Sequence, residues 1–301
     1  MKSKTTWKLG FNAFWWDGLD REPVLDGCIG SLVDMGYQAV EFKVDSFGSQ
    51  LNRDAIVRAA QKAEAAKLAV SNLVILRSLS QAEGRQQAVE DVSEAIRICA
   101  AAGIGALNIV SGAAAQVPAY PPESWWRSST RPDPAAWEML TQSVHELVKV
   151  AEAEGVDLAL EACGGSLVCD FGTTLELLAR CDHPRMKLTF DPSHYILAGQ
   201  DVGVAIRRLG PRIRHVHLKD AVGRRGAIGE DFLFPLLGQG ATDWPVFFQA
   251  LRDVSYTGVL SVEFESFRLM EEIWQRDAVQ AARLSKQAAD RLIELYGQGV
   301  R

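Results

Sequence analysis

The chain has 301 residues, 48% hydrophobic and 23% charged, with a formal net charge of −6. That length and balance allow one large core, and the acidic excess argues against a general grip on nucleic-acid phosphates or an anionic membrane surface. The five cysteines (Cys28, Cys99, Cys163, Cys169 and Cys181) are an odd number without C-x-x-C spacing, which reads as reduced thiols. No apolar run has the length of a secretion signal or a membrane span, so the expected location is cytoplasmic.

In chain order, WKLGFNAF (Trp7–Phe14) reads as a short strand, followed by a loop through Trp15, Trp16 and Asp17. Asp26–Met35 reads as a helix closed by Gly36. In QAVEFKVD (Gln38–Asp45), Val40, Phe42 and Val44 alternate with Glu41, Lys43 and Asp45, the period of a strand. A helix over Asp54–Lys67, a strand over Leu68–Ile75, a helix over Gln81–Ala102 and a strand over Gly105–Gly112 follow. The stretch 113–134 is irregular and Pro-rich, and carries Trp125, Trp126, Arg127 and Arg131. A loop this long in a compact domain suggests a lid. After a helix over Asp133–Glu154 come four more strands, in VDLALEACGG, MKLTFDPSHY, IRHVHLKD and GVLSVEFES. Helices over Thr173–Cys181, Asp201–Leu209, Asp243–Asp253 and Gln275–Tyr296 separate or follow them. Eight strand–helix pairs predict α/β architecture, a single (β/α)₈ TIM barrel in one domain spanning 1–301. A doubly wound sheet is the alternative, but no G-x-G-x-x-G follows the first strand, so dinucleotide binding has no support.

The four late strands carry the chemistry. In VDLALE, MKLTFD and GVLSVEFE one face is apolar and the other carries Glu161, Asp191 or Glu263, while in IRHVHLK the residues Ile213, His215, His217 and Lys219 share one face, opposite Arg214, Val216 and Leu218. Parallel barrel strands all exit at one rim, where barrel enzymes place their sites. Three carboxylates brought together repel one another and call for a cation or shifted pKa values. An oxygen-rich set with one imidazole suits Mn²⁺ or Mg²⁺, with Co²⁺ or Zn²⁺ as alternatives.

Glu161 in LALE, Asp191 and His194 in DPSH, His217 in HVHLKD, GQGATDW at Gly238–Trp244 and Glu263 in LSVEFE together resemble the xylose-isomerase-like superfamily. That sugar isomerase/epimerase group includes ketose 3-epimerases and inosose dehydratases. The likeness is dense over 156–266 and is mainly one of rhythm before that. It implies a single divalent ion, Mn²⁺ by expectation, held by Glu161, Asp191, His217 and Glu263. It also implies that Glu161 and Glu263 double as proton carriers, and that His194 contacts substrate. An arginine after the HVHLKD segment, Arg224 or Arg225, is the matching further contact. Leu167 stands where ketose 3-epimerases carry a second Glu six residues after the first, a departure from the free-ketose pattern.

Such a metal activates the carbon beside a carbonyl, and two acid/base groups then move its proton through an enediolate. Returning the proton isomerises or epimerises; losing a β-substituent dehydrates or cleaves. Other residues have two readings each. Lys219 and Asp220 are proton shuttles or a rim ion pair, and Glu265 a substrate contact or a support for its neighbours. Trp15, Trp16, Trp125 and Trp126 are a stacking wall for a sugar or ordinary packing. His215 is a core hydrogen-bonder in preference to a direct substrate contact, Glu41 and Lys43 face the barrel interior or mouth, and Cys163 and Cys169 are inert thiols. The expected partner is a small carbohydrate, with neither nucleic acid nor membrane, and the chain is expected to form a homodimer or tetramer. An abasic-site endonuclease would need early histidines, yet none precedes His145. A Schiff-base lyase would use Lys187 or Lys219, and an idle binding subunit would not need the four-donor set.

Overall fold

The computed structural model describes residues 7–48, 51–112, 133–226, 228–266 and 269–297. Its strands in chain order are β1 (Lys8–Asn12), β2 (Ala39–Lys43), β3 (Ala69–Ile75), β4 (Ala106–Val110), β5 (Asp157–Glu161), β6 (Met186–Phe190) and β7 (Ile213–Leu218). An antiparallel pair, β8 (Val222–Gly223) and β9 (Phe232–Leu233), then precedes the last barrel strand, β10 (Val259–Val262). β1 to β7 and β10 close into an all-parallel barrel, with β10 between β7 and β1. The (β/α)₈ expectation holds. The β8–β9 hairpin, absent from the sequence-based reading, is an insertion at the barrel mouth.

The helices are α1 (Glu22–Asp34), α2 (Arg53–Ala65), α3 (Arg85–Ala101), α4 (Pro134–Glu154), α5 (Phe171–Arg180), α6 (Pro192–Leu197), α7 (Val202–Leu209), α8 (Trp244–Asp253) and α9 (Ala278–Tyr296). Every helix from α4 onward starts on an aspartate (Asp133, Asp170, Asp191, Asp201, Asp243, Asp277) whose carboxylate accepts a first-turn N–H. Each such cap contributes about 1 kcal/mol and sets where its helix begins. Boundaries moved where backbone chemistry intervened. α1 starts at Glu22, before the expected Asp26, because Pro23 suits a first helical turn. α3 waits until after Gly84, whose φ of 74° is left-handed. α9 waits until after Gln275 and Arg276, both at positive φ. The expected lid, 113–134 with Trp125, Trp126, Arg127 and Arg131, lies outside the described residues up to position 132; Asp133 and Pro134 already belong to the start of α4.

Strand alternation builds two layers. Phe11, Phe42, Leu73, Leu107, Leu158, Leu188, Val216 and Leu260 point outward and are buried beneath the helices. The opposite faces meet inside the barrel, and contacts between strands that are not neighbours mark that interior: Glu41 on β2 touches His215 and His217 on β7. Two register shifts lie beside these residues, between Val40 and Glu41 against β3 and between Leu188 and Thr189 against β7. Such bulges re-aim side chains and recur next to functional sites.

Candidate metal centre

The apolar outer faces of β5, β6, β7 and β10 force their polar positions inward, and the strand exits bring four of them together. Ligand-capable atoms of Glu161, Asp191, His217 and Glu263 lie within 4.8 Å of one another, and all four residues are buried. The imidazole is central: His217 Nδ1 is 3.1 Å from Glu161 Oε1 and 3.2 Å from Glu263 Oε2. Each flanking carboxylate is steadied by an amide on the neighbouring strand. Asn108 Nδ2 donates to Glu161 Oε2 at 3.0 Å, and Asn12 Nδ2 to Glu263 Oε1 at 3.1 Å. Sequence reasoning passed over both asparagines. Their signal was present, a lone amide in the apolar runs of WKLGFNAF and GALNIVSG.

Behind His217 lies a second buried group. Its Nε2 meets both oxygens of Glu41, at 3.1 and 3.2 Å. Glu41 also accepts from the Ser261 hydroxyl at 3.0 Å and pairs with His215 Nε2 at 3.0 Å. Burial would push the Glu41 carboxyl up, but His217 and His215 outweigh it and hold it well below the carboxylate range. An ionised Glu41 orders a proton onto His217 Nε2, which leaves Nδ1 as the atom offered to the cluster. His215 is thus the core hydrogen-bonder it was expected to be. Glu41, an interior residue by alternation, is the carboxylate that orients the imidazole.

Asp191 divides its two oxygens. Oδ1 accepts from Ser193 N at 2.8 Å and so caps α6, while Oδ2 turns to Lys219 Nζ at 2.9 Å and His194 Nε2 at 3.4 Å. The cap fixes the side chain and thereby aims Oδ2 inward. α6 in turn carries His194, whose Nδ1 accepts from Gly164 N at 3.2 Å. An accepting Nδ1 means that Nε2 carries the proton. Burial agrees, pushing the His194 pKa down to about 4. His194 is therefore a neutral donor at the cluster's edge, 3.9 Å from Glu161.

Lys219 is the cation of the site. Its Nζ contacts Glu263 Oε2 and Glu265 Oε2 at 2.7 Å each as well as Asp191, and lies 4.7 Å from the Phe234 ring centre. Glu265 and Phe234 also line a cavity of about 370 Å³ with Ile228, Leu233, Ser266 and Glu271, so the cavity reaches the Lys219 group through Glu265. The volume falls within the range of small-molecule sites. Trp15 packs under the rim: its Nε1 donates to Phe264 O at 2.6 Å and Arg276 lies over its ring at 5.1 Å. Arg224 is exposed on the β8–β9 hairpin, where its backbone N–H donates to Asp231 O at 3.2 Å. Arg225 ties that hairpin to Asp170 at 3.3 Å. Asp220 is neither shuttle nor rim ion pair. It is buried, and accepts from the N–H groups of Gly238, Gly240 and Thr242 and from the Thr242 hydroxyl. A Cβ on Gly240 would lie 2.1 Å from Asp220 Oδ1, so this turn requires glycine there. The Cys163 thiol is raised well above its ordinary pKa by burial, which suits an inert role.

The donor set fits a divalent ion. His217 expresses the need for positive charge: burial would lower its pKa, yet Glu263, Glu41 and Glu161 hold it well above the ordinary value. Three carboxylates and one imidazole with an oriented Nδ1 make an oxygen-rich set of the kind that hard or borderline divalent metals occupy.

Fold and site together define a (β/α)₈ barrel with a carboxylate–imidazole centre at the strand exits. A xylose isomerase-like TIM barrel model matches residues 29–294; the chain belongs to that family. It is 32% identical over 143 residues to an inosose dehydratase of Mesomycoplasma hyopneumoniae, covering 43% of this chain and 47% of the relative. It is 28% identical over 130 residues to a D-psicose 3-epimerase of Ruminiclostridium cellulolyticum, covering 42% and 41%. The matches thus span about half the length of these curated relatives. A solved L-ribulose 3-epimerase superposes with a TM-score of 0.74 at 21% identity, covering 97% of this chain and 96% of that one.

Proposed function

We propose that the chain is a divalent-metal-dependent isomerase or epimerase that removes a proton beside the carbonyl of a sugar, polyol or keto-glycoside. The observation that carries this reading is the pair of carboxylates, Glu161 and Glu263, flanking one imidazole nitrogen at 3.1 and 3.2 Å. Glu161, Asp191, His217 and Glu263 are the proposed ligands, with Mn²⁺ the preferred ion. When bound, the ion supplies Lewis-acid stabilisation of an enediolate.

The remaining work falls to the protein. Glu161 and Glu263 stand on two sides of the site, so one takes the proton and the other returns it to the opposite face. The Asn108 and Asn12 amides hold one oxygen of each carboxylate and leave the other turned inward. His194, with its proton on Nε2, donates to a substrate hydroxyl, and Glu265 and Lys219 meet substrate from the cavity side. Trp15 backs the rim, and Arg224 approaches from the hairpin.

A second reading, a dehydratase or lyase acting on a keto-inositol or 3-keto-glycoside, shares the first proton transfer and differs in expelling a β-substituent. The inosose dehydratase likeness and Leu167 at the position of the epimerases' second Glu favour it. Elemental analysis of the purified protein, followed by solvent-deuterium uptake into ketoses and keto-inositols with Mn²⁺ added, tests both. About one ion per chain, with deuterium beside a carbonyl, supports the shared step, and the product then separates the readings. Absence of metal and of exchange would sink them.

A further inference from the structure

The Lys219 ammonium has three hydrogens and three carboxylate partners, and the partners are of two kinds. Asp191 Oδ2 at 2.9 Å and Glu263 Oε2 at 2.7 Å belong to the four-donor cluster. Glu265 Oε2 at 2.7 Å does not; that residue faces the cavity. A protein cation therefore sits on half of the groups that a divalent ion would use. In a buried site, like charges a few ångströms apart repel strongly, so ammonium and ion compete for the same two carboxylates. The lysine stem is flexible and its head is a compact point charge. Glu265 offers that head a carboxylate outside the ligand set, and the Phe234 ring at 4.7 Å offers a further contact for it.

We propose that Lys219 is the internal counter-cation of the centre: its ammonium holds the Asp191 and Glu263 carboxylates together in the metal-free protein and withdraws onto Glu265 when a divalent ion enters. Besides facing substrate, Lys219 then positions the ligand carboxylates, and Glu265 is its alternative partner. No proton changes hands. The inference rests on the metal-centre reading above.

The test is a double-mutant cycle on Mn²⁺ affinity, measured by calorimetry on chelator-treated full-length protein, with melting temperatures of the metal-free forms alongside. Lys219→Met is expected to bind Mn²⁺ about tenfold more tightly and to melt lower without metal. Glu265→Gln is expected to bind about tenfold more weakly, because the ammonium then stays on the ligands. In the Lys219→Met background the Glu265→Gln change should have little effect. An equal effect in both backgrounds, or unchanged affinity in Lys219→Met, overturns the inference while the metal centre stands. Failure of the wild-type protein to bind Mn²⁺ overturns both. Should Lys219→Met not fold, a crystal structure of the Mn²⁺-loaded wild type decides: Nζ bonded to Glu265 alone supports the exchange, and Nζ still on both Asp191 and Glu263 overturns it.

Discussion

At the scale of single residues, the site separates groups that would hold an ion from groups that act beside it. Glu161→Gln, Asp191→Asn, His217→Ala and Glu263→Gln should each lower metal content and proton exchange together. Glu41→Gln leaves all four donors in place but removes the charge that orders the His217 proton, so metal affinity should fall about 10–100-fold with the fold retained. Titration calorimetry checks this, and wild-type affinity would remove Glu41 from the argument. His194→Ala should keep metal and lose about 10–100-fold in kcat/KM, the cost of one buried hydrogen bond of about 1–3 kcal/mol. Loss of metal in that variant would make His194 a ligand instead. Lys219 is poorly suited to a Schiff base. Burial opposes its charge, but Asp191, Glu263 and Glu265 hold its pKa well above the ordinary value, and an ammonium has no free lone pair for attack.

At the scale of elements, loops and short helices decide where the strand-borne groups point. α6 is only one and a half turns long, yet its cap orients Asp191 and its first turn carries His194. The GQGATDW turn is arranged around Asp220, which connects the end of β7 to the start of α8. Asp220→Ala would strand the backbone donors of Gly238, Gly240 and Thr242, the last of them buried, and should cost on the order of 2 kcal/mol of stability. Asp220→Asn keeps an acceptor oxygen and should cost less. Chemical denaturation midpoints measure both, and equal midpoints for wild type and Asp220→Ala would show that the turn holds itself.

At the scale of the whole molecule, metal and fold are linked. An ion that binds only the folded chain stabilises it by about 2.7 kcal/mol at 100 times its dissociation constant. Chelator treatment should therefore lower the melting temperature, and added Mn²⁺ should restore it in a concentration-dependent way. A melting temperature indifferent to both would argue against a site inside the barrel. Among the described residues no helix is long and apolar enough to cross a membrane.

The barrel and the four convergent donors were legible in the sequence because strand period and parallel topology are local rules with a global consequence. Alternation in VDLALE, MKLTFD and IRHVHLK assigns a face to every side chain, and closure carries those faces to one rim. Which atom meets which was decided only in three dimensions. Glu41 and His217 are 176 positions apart and Asn12 and Glu263 are 251 apart, so no local pattern could pair them. The bulges beside Glu41 and Thr189 and the Asp191 cap lie where those final orientations are taken up. Period alone carries a residue to the barrel interior; the orientation of His217, the divided roles of Asp191 and the three carboxylate partners of Lys219 follow from packing and charge once it is there.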